Sequence, residues 1–522
     1  MTAHAPNGPS NAQAPGQSYS QILRSTAVIG LAYGVVTLVS IIRMKSLALL
    51  LGPAGIGLLG LFTLVVDLAA AIAAMGIHAS GVRQISASIG SGDSHEIGGT
   101  AVALRWLSLG LGLLGGAILA SLYLPVSVLT FGNGQYGLGV ALLGGVVLLR
   151  LMHAAEATIL QGVRRTRDIA MSNIFNAIAG TALTVGLIYL LGTDGVVPAL
   201  LAAAVAGLLI VWHYTRRITM ERPPALSSLR NNAAPLLRLG FVFMISALLM
   251  SGAAYVIRII ITHDSGVEAA GLYQASWGVA ALYAGFVLQA MGTDFYPRLS
   301  EHPNDNELCN RLVNEQARVS MLLAGPGVIL TIAMAPLVLA IFYSEEFAGA
   351  VSSLRWLCLG MMLRIVAWPI GFIVIAKGAQ KAFFWTEVAA TVVHVGLAAL
   401  LVPWLGVDGA GIAFLGLYAW HSMLVYLVVR SLSGFRWNRG NIRLGGVYFA
   451  ATALTFLGFS VLPLPYATAF GLLAALFSGV HSLRELLSLV PVDTVPHALR
   501  PLLVRMATFL RVLPVHSGPG PH

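Results

Sequence analysis

The chain has 522 residues, 57% of them apolar and 10% charged, with a mean hydropathy of +0.84. Soluble domains carry about 25% charged residues, and single cores stop growing near roughly 250–300 residues, so a soluble enzyme is excluded and a polytopic membrane protein remains. The formal charge of +10 would suggest nucleic acid in a soluble protein, but here it must first be sorted loop by loop.

Residues 1–20, rich in Pro, Gly, Ser, Asn and Gln, read as a disordered cytoplasmic tail. They lack the basic start of a signal peptide. Apolar runs of about 20 residues place spans near 25–50, 56–82, 98–124, 136–161, 168–192, 194–215 and 236–262. Further spans follow near 268–296, 317–343, 352–376, 382–403, 408–430, 444–463 and 466–483, fourteen in all. Backbone polar groups in lipid must be satisfied within each segment, so the fold class is all-α. The segment 485–522 reads as a cytoplasmic tail, with a basic interfacial helix at 497–513 weakened by Pro501.

With the N-terminus in the cytoplasm, the loops sort by charge. Inside loops hold Arg164, Arg165 and Arg167; Arg216, Arg217, Arg222 and Arg230; Lys377 and Lys381; and Arg436, Arg439 and Arg443. The outside loops, such as PVSVLTFGNGQYG and SEEFAGA, contain no Lys or Arg. This asymmetry sets the orientation, accounts for the net charge, and removes the case for nucleic acid.

Shifting the sequence by 214 superposes Arg24 on Arg238, Gly57-Leu58 on Gly271-Leu272, Arg150 on Arg364, and Gly192-Thr-Asp-Gly195 on Gly406-Val-Asp-Gly409. Near a shift of 216, Ala74-Met-Gly76 meets Ala290-Met-Gly292. Each repeat holds six spans, so both halves have one orientation. That predicts an N-lobe over 21–217 and a C-lobe over 218–431, related by an axis along the membrane normal. Residues 432–484, with spans 13 and 14, lie outside the repeat.

Five cations fall inside spans: Arg43, Lys45, Arg150, Arg258 and Arg364. At mid-bilayer each costs roughly 2.5–3.5 kcal/mol, so they line a wet cavity, pair with acids, or snorkel. Arg258 maps between Arg43 and Lys45, and Arg150 maps onto Arg364, which places cations in pairs about the seam of the lobes. Arg43 and Lys45 are about 200° apart around a helix, so only one points straight at that seam. Asp67, Glu156, Asp294 and Glu387 are the available acids, too few and poorly placed to neutralise all five. The expectation is a cationic cavity for a multiply charged anion, because guanidinium forks fit phosphate oxygens.

Other features are weaker. Gly110-x-Gly112-x-x-Gly115 fits a dinucleotide pattern but sits mid-span, where small-residue helix packing explains it better. His153, His394 and His421 could relay protons, and Asp67 could bind a coupling ion or pair with a cation. Asp194 and Asp408 precede helices and read as caps. Cys309 and Cys358 lie too far apart in depth to be bridged. No metal site, cofactor or catalytic residue is expected.

The same residues carry a family resemblance. Lys45-SLALLL-Gly52-Pro53-Ala54-Gly55-Ile56-Gly57 resembles the first helix and turn of Wzx-type polysaccharide flippases. Tyr255-VI-Arg258 with Gly271-Leu-Tyr-Gln274 resembles their seventh helix, and the run Trp356–Gly378 their tenth. Over roughly residues 20–430 the chain is similar to O-antigen and enterobacterial-common-antigen translocases of the multidrug/oligosaccharidyl-lipid/polysaccharide exporter superfamily. The resemblance implies flipping of an undecaprenyl-pyrophosphate-linked oligosaccharide across the bacterial inner membrane, both termini cytoplasmic, for surface polysaccharide (O-antigen, capsule or exopolysaccharide) biosynthesis. It implies alternating access, with Lys45, Arg258 and Arg364 at basic positions of the family. Arg150 is added by symmetry and Arg43 by its place beside Lys45. Asp67, Glu387 and His153 are candidates for proton or sodium coupling. A polysaccharide polymerase and chain-length machinery are the implied partners. The alternatives are a cation-coupled multidrug exporter of the same superfamily and a lipid II flippase, which also has fourteen spans.

Overall fold

The computed structural model of the chain describes residues 15–91, 94–220, 225–290 and 295–489. Among the described residues helices succeed one another without a strand: α1 (Pro15–Ala73), α2 (Ile77–Ser91), α3 (Ser94–Ser121), α4 (Tyr123–Phe131), α5 (Gly137–Gly162), α6 (Thr166–Leu191), α7 (Val196–Thr215) and α8 (Ala225–Ala290). Then come α9 (Tyr296–Glu301), α10 (Asn306–Ala333), α11 (Ala335–Phe342), α12 (Val351–Ala376), α13 (Gln380–Leu405), α14 (Val407–Ser433), α15 (Arg439–Val461) and α16 (Leu464–Leu489).

Among the described residues, 11 stretches are long and apolar enough to cross a membrane. Three of them, Ala32–Ala73, Thr166–Thr215 and Phe243–Leu282, run to 42, 50 and 40 residues, about twice the length one crossing needs. Each contains a glycine with left-handed backbone: Gly52 (φ 62°), Gly192 (φ 60°) and Gly266 (φ 87°). At the first break Pro53 follows, which lacks an N–H and starts the next helix at little cost. Read as two crossings apiece, the three long stretches bring the number to the expected fourteen. Much of the outward surface is apolar, with Trp404 83% and Phe477 73% exposed, as lipid contact requires.

The 214-residue repeat is written in the backbone more clearly than in the letters. α5 and α12 begin and end at residues 214 apart, and so do α6 and α13. The left-handed positions correspond as well: Gly52 with Gly266, Gly192 with Gly406, and Arg164 with Gly378. After α5 the amides of Arg164, Arg165 and Thr166 donate to the carbonyls of Gln161, Leu160 and Arg164 at 3.0, 3.0 and 2.9 Å. After α12 those of Gly378, Ala379 and Gln380 donate to Ile375, Val374 and Gly378 at 3.0, 3.1 and 2.8 Å. Both are Schellman ends, whose left-handed residue is normally glycine. Arg164 holds that position with a side chain, at a cost of roughly 1–2 kcal/mol.

The chain divides into two compact units. One takes residues 1–46, 69–123 and 138–245. Its core joins Ile77 and Ile85 of α2 to Leu104 of α3, Ile159 of α5 and Leu236 of α8, all fully buried. Beside it Arg105 of α3 donates twice to Glu156 of α5, Nε to Oε1 at 2.7 Å and Nη2 to Oε2 at 2.8 Å.

The other unit takes residues 47–68, 124–137 and 246–522. In it the turn after Gly52 meets the turn after Gly266 reciprocally. A Cβ at Gly57 would lie 2.1 Å from the Val267 carbonyl oxygen, and one at Gly271 would lie 1.8 Å from that of Pro53. Val267 and Pro53 are themselves 214 apart, so this is the self-complementary contact of a local pseudo-two-fold. The two helices beyond the repeat are fastened to α10: Arg318 pairs with Glu485 of α16, and Asn441 of α15 donates to the Asn314 carbonyl at 2.7 Å. The Tyr448 ring fills the space a side chain would take at Gly325.

Three expectations need correction. The stretch read as the loop PVSVLTFGNGQYG is largely helix α4, because Ser127, Thr130 and Phe131 pack inward and Thr130 bonds the Tyr255 hydroxyl at 2.5 Å. Neither Asp194 nor Asp408 caps a helix: the N-caps of α7 and α14 are Gly195 and Gly406, and Asp408 instead accepts from Ser352 Oγ at 2.6 Å. Helix α1 starts at Pro15, inside the expected tail. Asp294, residues 1–14 and the proposed interfacial helix at 497–513 lie outside the described residues. Both cysteines are free and buried, as expected.

Candidate functional site

Within the second unit a cavity of about 350 Å³ opens between α8, α12, α13 and α14. Its charged and polar lining comes from Arg258, Arg364, Glu387, His394 and His421, and its aromatic walls include Tyr273, Trp277, Trp368, Phe414 and Tyr418. Two guanidiniums thus share one enclosure with a single carboxylate.

Each arginine is held by its own helix and a neighbour. Arg258 is 6% exposed. Its Nε and Nη2 donate to Gln274 Oε1 at 3.1 and 2.8 Å, and its Nη1 donates to the Ala254 carbonyl at 3.2 Å. Its guanidinium lies 5.3 Å from the Tyr273 ring centroid. Gln274 and Tyr273 follow the break at Gly266, which folds the second half of α8 back against the first. Arg364 lies over the Trp368 ring at 4.1 Å and near the Tyr418 ring at 5.6 Å. Residues four apart share a helix face, which puts Trp368 under Arg364, and Pro369 next to it donates no bond to the Ile365 carbonyl. Asp67 acts electrostatically on Arg258, as Glu387 does on Arg364.

Arg364 Nε, His394 Nε2 and both ring nitrogens of His421 are buried without a hydrogen-bond partner. Buried polar atoms left so are uncommon, and each costs about 1–3 kcal/mol. One of the four belongs to the Arg364 guanidinium and three to the imidazoles of the same cavity, a set able to bond an oxyanion or exchange a proton with it.

Of the five cations singled out in the sequence, Arg258 and Arg364 meet in this cavity. Arg43, Lys45 and Arg150 belong to the first unit, on α1 and α5. Of the coupling candidates Glu387 lines the cavity. His153 packs where α5, α6 and α7 meet, beside Gly207 and Asn176, and Asp67 sits on α1. Glu156 serves Arg105, a sixth intramembrane cation that the sequence reading passed over. A position between Leu104 and Trp106 inside an apolar run was the signal for it. The stacking partners Trp368 and Tyr418 were also missed, and of these Trp368 was readable from its spacing to Arg364.

A family model described as polysaccharide biosynthesis protein matches residues 22–302. The lipid III flippase of Escherichia coli (strain K12) is 23% identical over 387 residues, 72% of this chain and 90% of that protein. Among solved structures, an inward-facing multidrug resistance MATE family transporter of the MOP superfamily aligns with a TM-score of 0.65 at 20% identity, covering 76% of this chain and 94% of that one. The lipid II flippase MurJ in an inward closed conformation aligns with a TM-score of 0.62 at 13% identity, covering 88% and 99%. The fold is that of these transporters.

Proposed function

Because the chain belongs to the polysaccharide biosynthesis protein family, we propose that it is a flippase carrying an undecaprenyl-pyrophosphate-linked oligosaccharide from the cytoplasmic to the periplasmic face of the bacterial inner membrane. The observation that carries this reading is the pairing of Arg258 and Arg364 in one aromatic-walled cavity. A drug-exporting site for organic cations would place carboxylates where these guanidiniums stand. Pyrophosphate presents oxygens to guanidinium forks, and aromatic faces suit the apolar faces of sugar rings. Likeness to a protein described as a lipid III flippase supports the same substrate class.

In this reading Arg258, Arg364, Lys45, Arg150 and Arg43 receive the pyrophosphate as the lobes alternate access, and the prenyl chain stays in lipid. No bond is made or broken, so these residues bind and release rather than catalyse. Proton or sodium coupling falls to Glu387, Asp67 and His153. The product would feed a polysaccharide polymerase and its chain-length machinery, and both termini would lie in the cytoplasm.

The test is complementation of a flippase-deficient strain, scored as surface polysaccharide on gels. Wild type is expected to restore it, and well-expressed Arg258→Gln and Arg364→Gln are expected to fail. Rescue by both variants would refute the site. Resistance to cationic dyes without any polysaccharide would favour the second reading, a cation-coupled exporter, for which Glu387 in the cavity is the specific observation.

A further inference from the structure

The junction between α5 and α6 carries a second, polar cavity of about 610 Å³ in the first unit, lined by Arg164, Arg165, Arg167, Arg217, Asp168 and Tyr214 among others. Four guanidiniums there face one carboxylate, and that carboxylate is engaged with Arg165 at 3.5 Å. Nearby, His213 has both ring nitrogens against guanidinium donors, Arg216 Nη2 at 3.1 Å and Arg217 Nη2 at 2.5 Å. A neutral imidazole accepts at one nitrogen only, so one of these contacts sets donor against donor. The cluster is short of acceptors.

General loop charge does not account for this concentration. The equivalent junction of the second half, six spans later and on the same side, has Gly378, Ala379, Lys381 and Ser431 where the first has Arg164, Arg165, Arg167 and Arg217. The two turns share their hydrogen bonds, yet the first keeps an arginine at a left-handed position (φ 57°) that the second gives to glycine (φ 65°). Backbone strain of this kind clusters at binding sites and ligand clamps. The surroundings combine arginine with exposed aromatics, the residue types enriched at membrane–water interfaces: Arg216 lies over the Trp212 ring at 5.2 Å, Arg217 over Tyr214 at 5.7 Å, and Trp212 itself is 47% exposed.

We propose that this arginine cup binds the phosphate of a lipid headgroup, clamping it at the basic end of α5–α7. The site is separate from the Arg258–Arg364 cavity and does not depend on that cavity's substrate. Phosphate oxygens supply the acceptors the cluster lacks, Arg165 and Arg167 bring their charge at the N-terminus of α6, and the acyl or prenyl chain lies along the exposed apolar faces of the helices.

The experiment uses the full chain in phosphatidylcholine nanodiscs, titrated with phosphatidic acid, with undecaprenyl pyrophosphate, and with soluble inorganic pyrophosphate, and compares wild type with Arg164→Gln/Arg167→Gln/Arg217→Gln. Each arginine near a membrane surface is worth about fivefold in affinity for an anionic lipid, so the triple variant should lose about a hundredfold. Tighter binding of phosphatidic acid would make the occupant a bulk phospholipid, tighter binding of undecaprenyl pyrophosphate a prenyl one, and either supports the site. Equal lipid affinity in wild type and variant overturns it. Binding of inorganic pyrophosphate as tight as that of the lipids overturns the lipid assignment. Arg164→Gly guards against a folding artefact: it should melt higher than wild type, by relief of the left-handed strain, while binding the lipid about fivefold more weakly. A variant that melts higher and binds equally well would show that Arg164 makes no contact with the ligand.

Discussion

Replacing Gly271 by alanine puts a methyl group 1.8 Å from the Pro53 carbonyl oxygen, and the same change at Gly57 puts one 2.1 Å from that of Val267. Neither obstacle is a side chain that can rotate aside. Real Cβ contacts stay beyond 3.0 Å, so the two turns must part by roughly 1 Å. Overpacking of this kind costs about 1–3 kcal/mol, here with the loss of backbone contact along both turns. We expect each single variant to lower the melting temperature of the detergent-purified protein, followed by tryptophan fluorescence. The pseudo-two-fold makes a sharper demand. Once Gly271→Ala has spread the turns, the space that Gly57→Ala needs is already partly open. The double variant should therefore lose clearly less than the sum of the two, a coupling expected only for residues in one contact. Strict additivity, or a single variant as stable as wild type, would refute the reciprocal packing.

Three further outcomes follow from the geometry. Arg105→Gln leaves the buried Glu156 carboxylate unpaired and should cost about 3–5 kcal/mol, Glu156→Gln should cost less because the Arg105 side chain is 28% exposed, and Arg105→Met/Glu156→Leu should cost less than Arg105→Gln, as read from thermal melts; a double variant worse than both single ones would contradict the pairing. Arg364→Lys keeps the charge but loses the planar stack on Trp368, so it should fail complementation nearly as badly as Arg364→Gln, and full rescue would make the site a point-charge one. Glu387→Gln should leave expression intact while transport in vesicles loses its dependence on the proton or sodium gradient; an unchanged dependence would place coupling elsewhere.

What the sequence disclosed follows from which forces are local. Helix lengths, the breaks at Gly52, Gly192 and Gly266, and the repeat are set by apolar run length and backbone torsion, both of which act within a few residues. Arg258 and Arg364 stood out because a charge inside an apolar run is costly wherever it faces. The partners of those charges did not stand out. Glu156 is 51 residues from Arg105, and nothing local in the chain connects the two. His394 and His421 were visible as histidines inside apolar runs, but Tyr418 reaches the cavity from a helix whose other faces are equally apolar, so only tertiary packing selects it. Helix α4 was hidden because Gly132, Asn133 and Gly134 advertise a loop, whereas the burial that stabilises the preceding residues comes from α1 and α8.

The Schellman end after α5 has a consequence for descent. Between two copies of a duplicated unit, side chains drift as soon as each copy acquires its own neighbours, and Arg164 no longer spells what Gly378 spells. The torsion angle at that site has not drifted, since moving it would redirect every helix downstream. Ancestry in such a chain is stored in angles and offsets, and a comparison by dihedral register recovers kinship between halves whose alphabets have nearly parted.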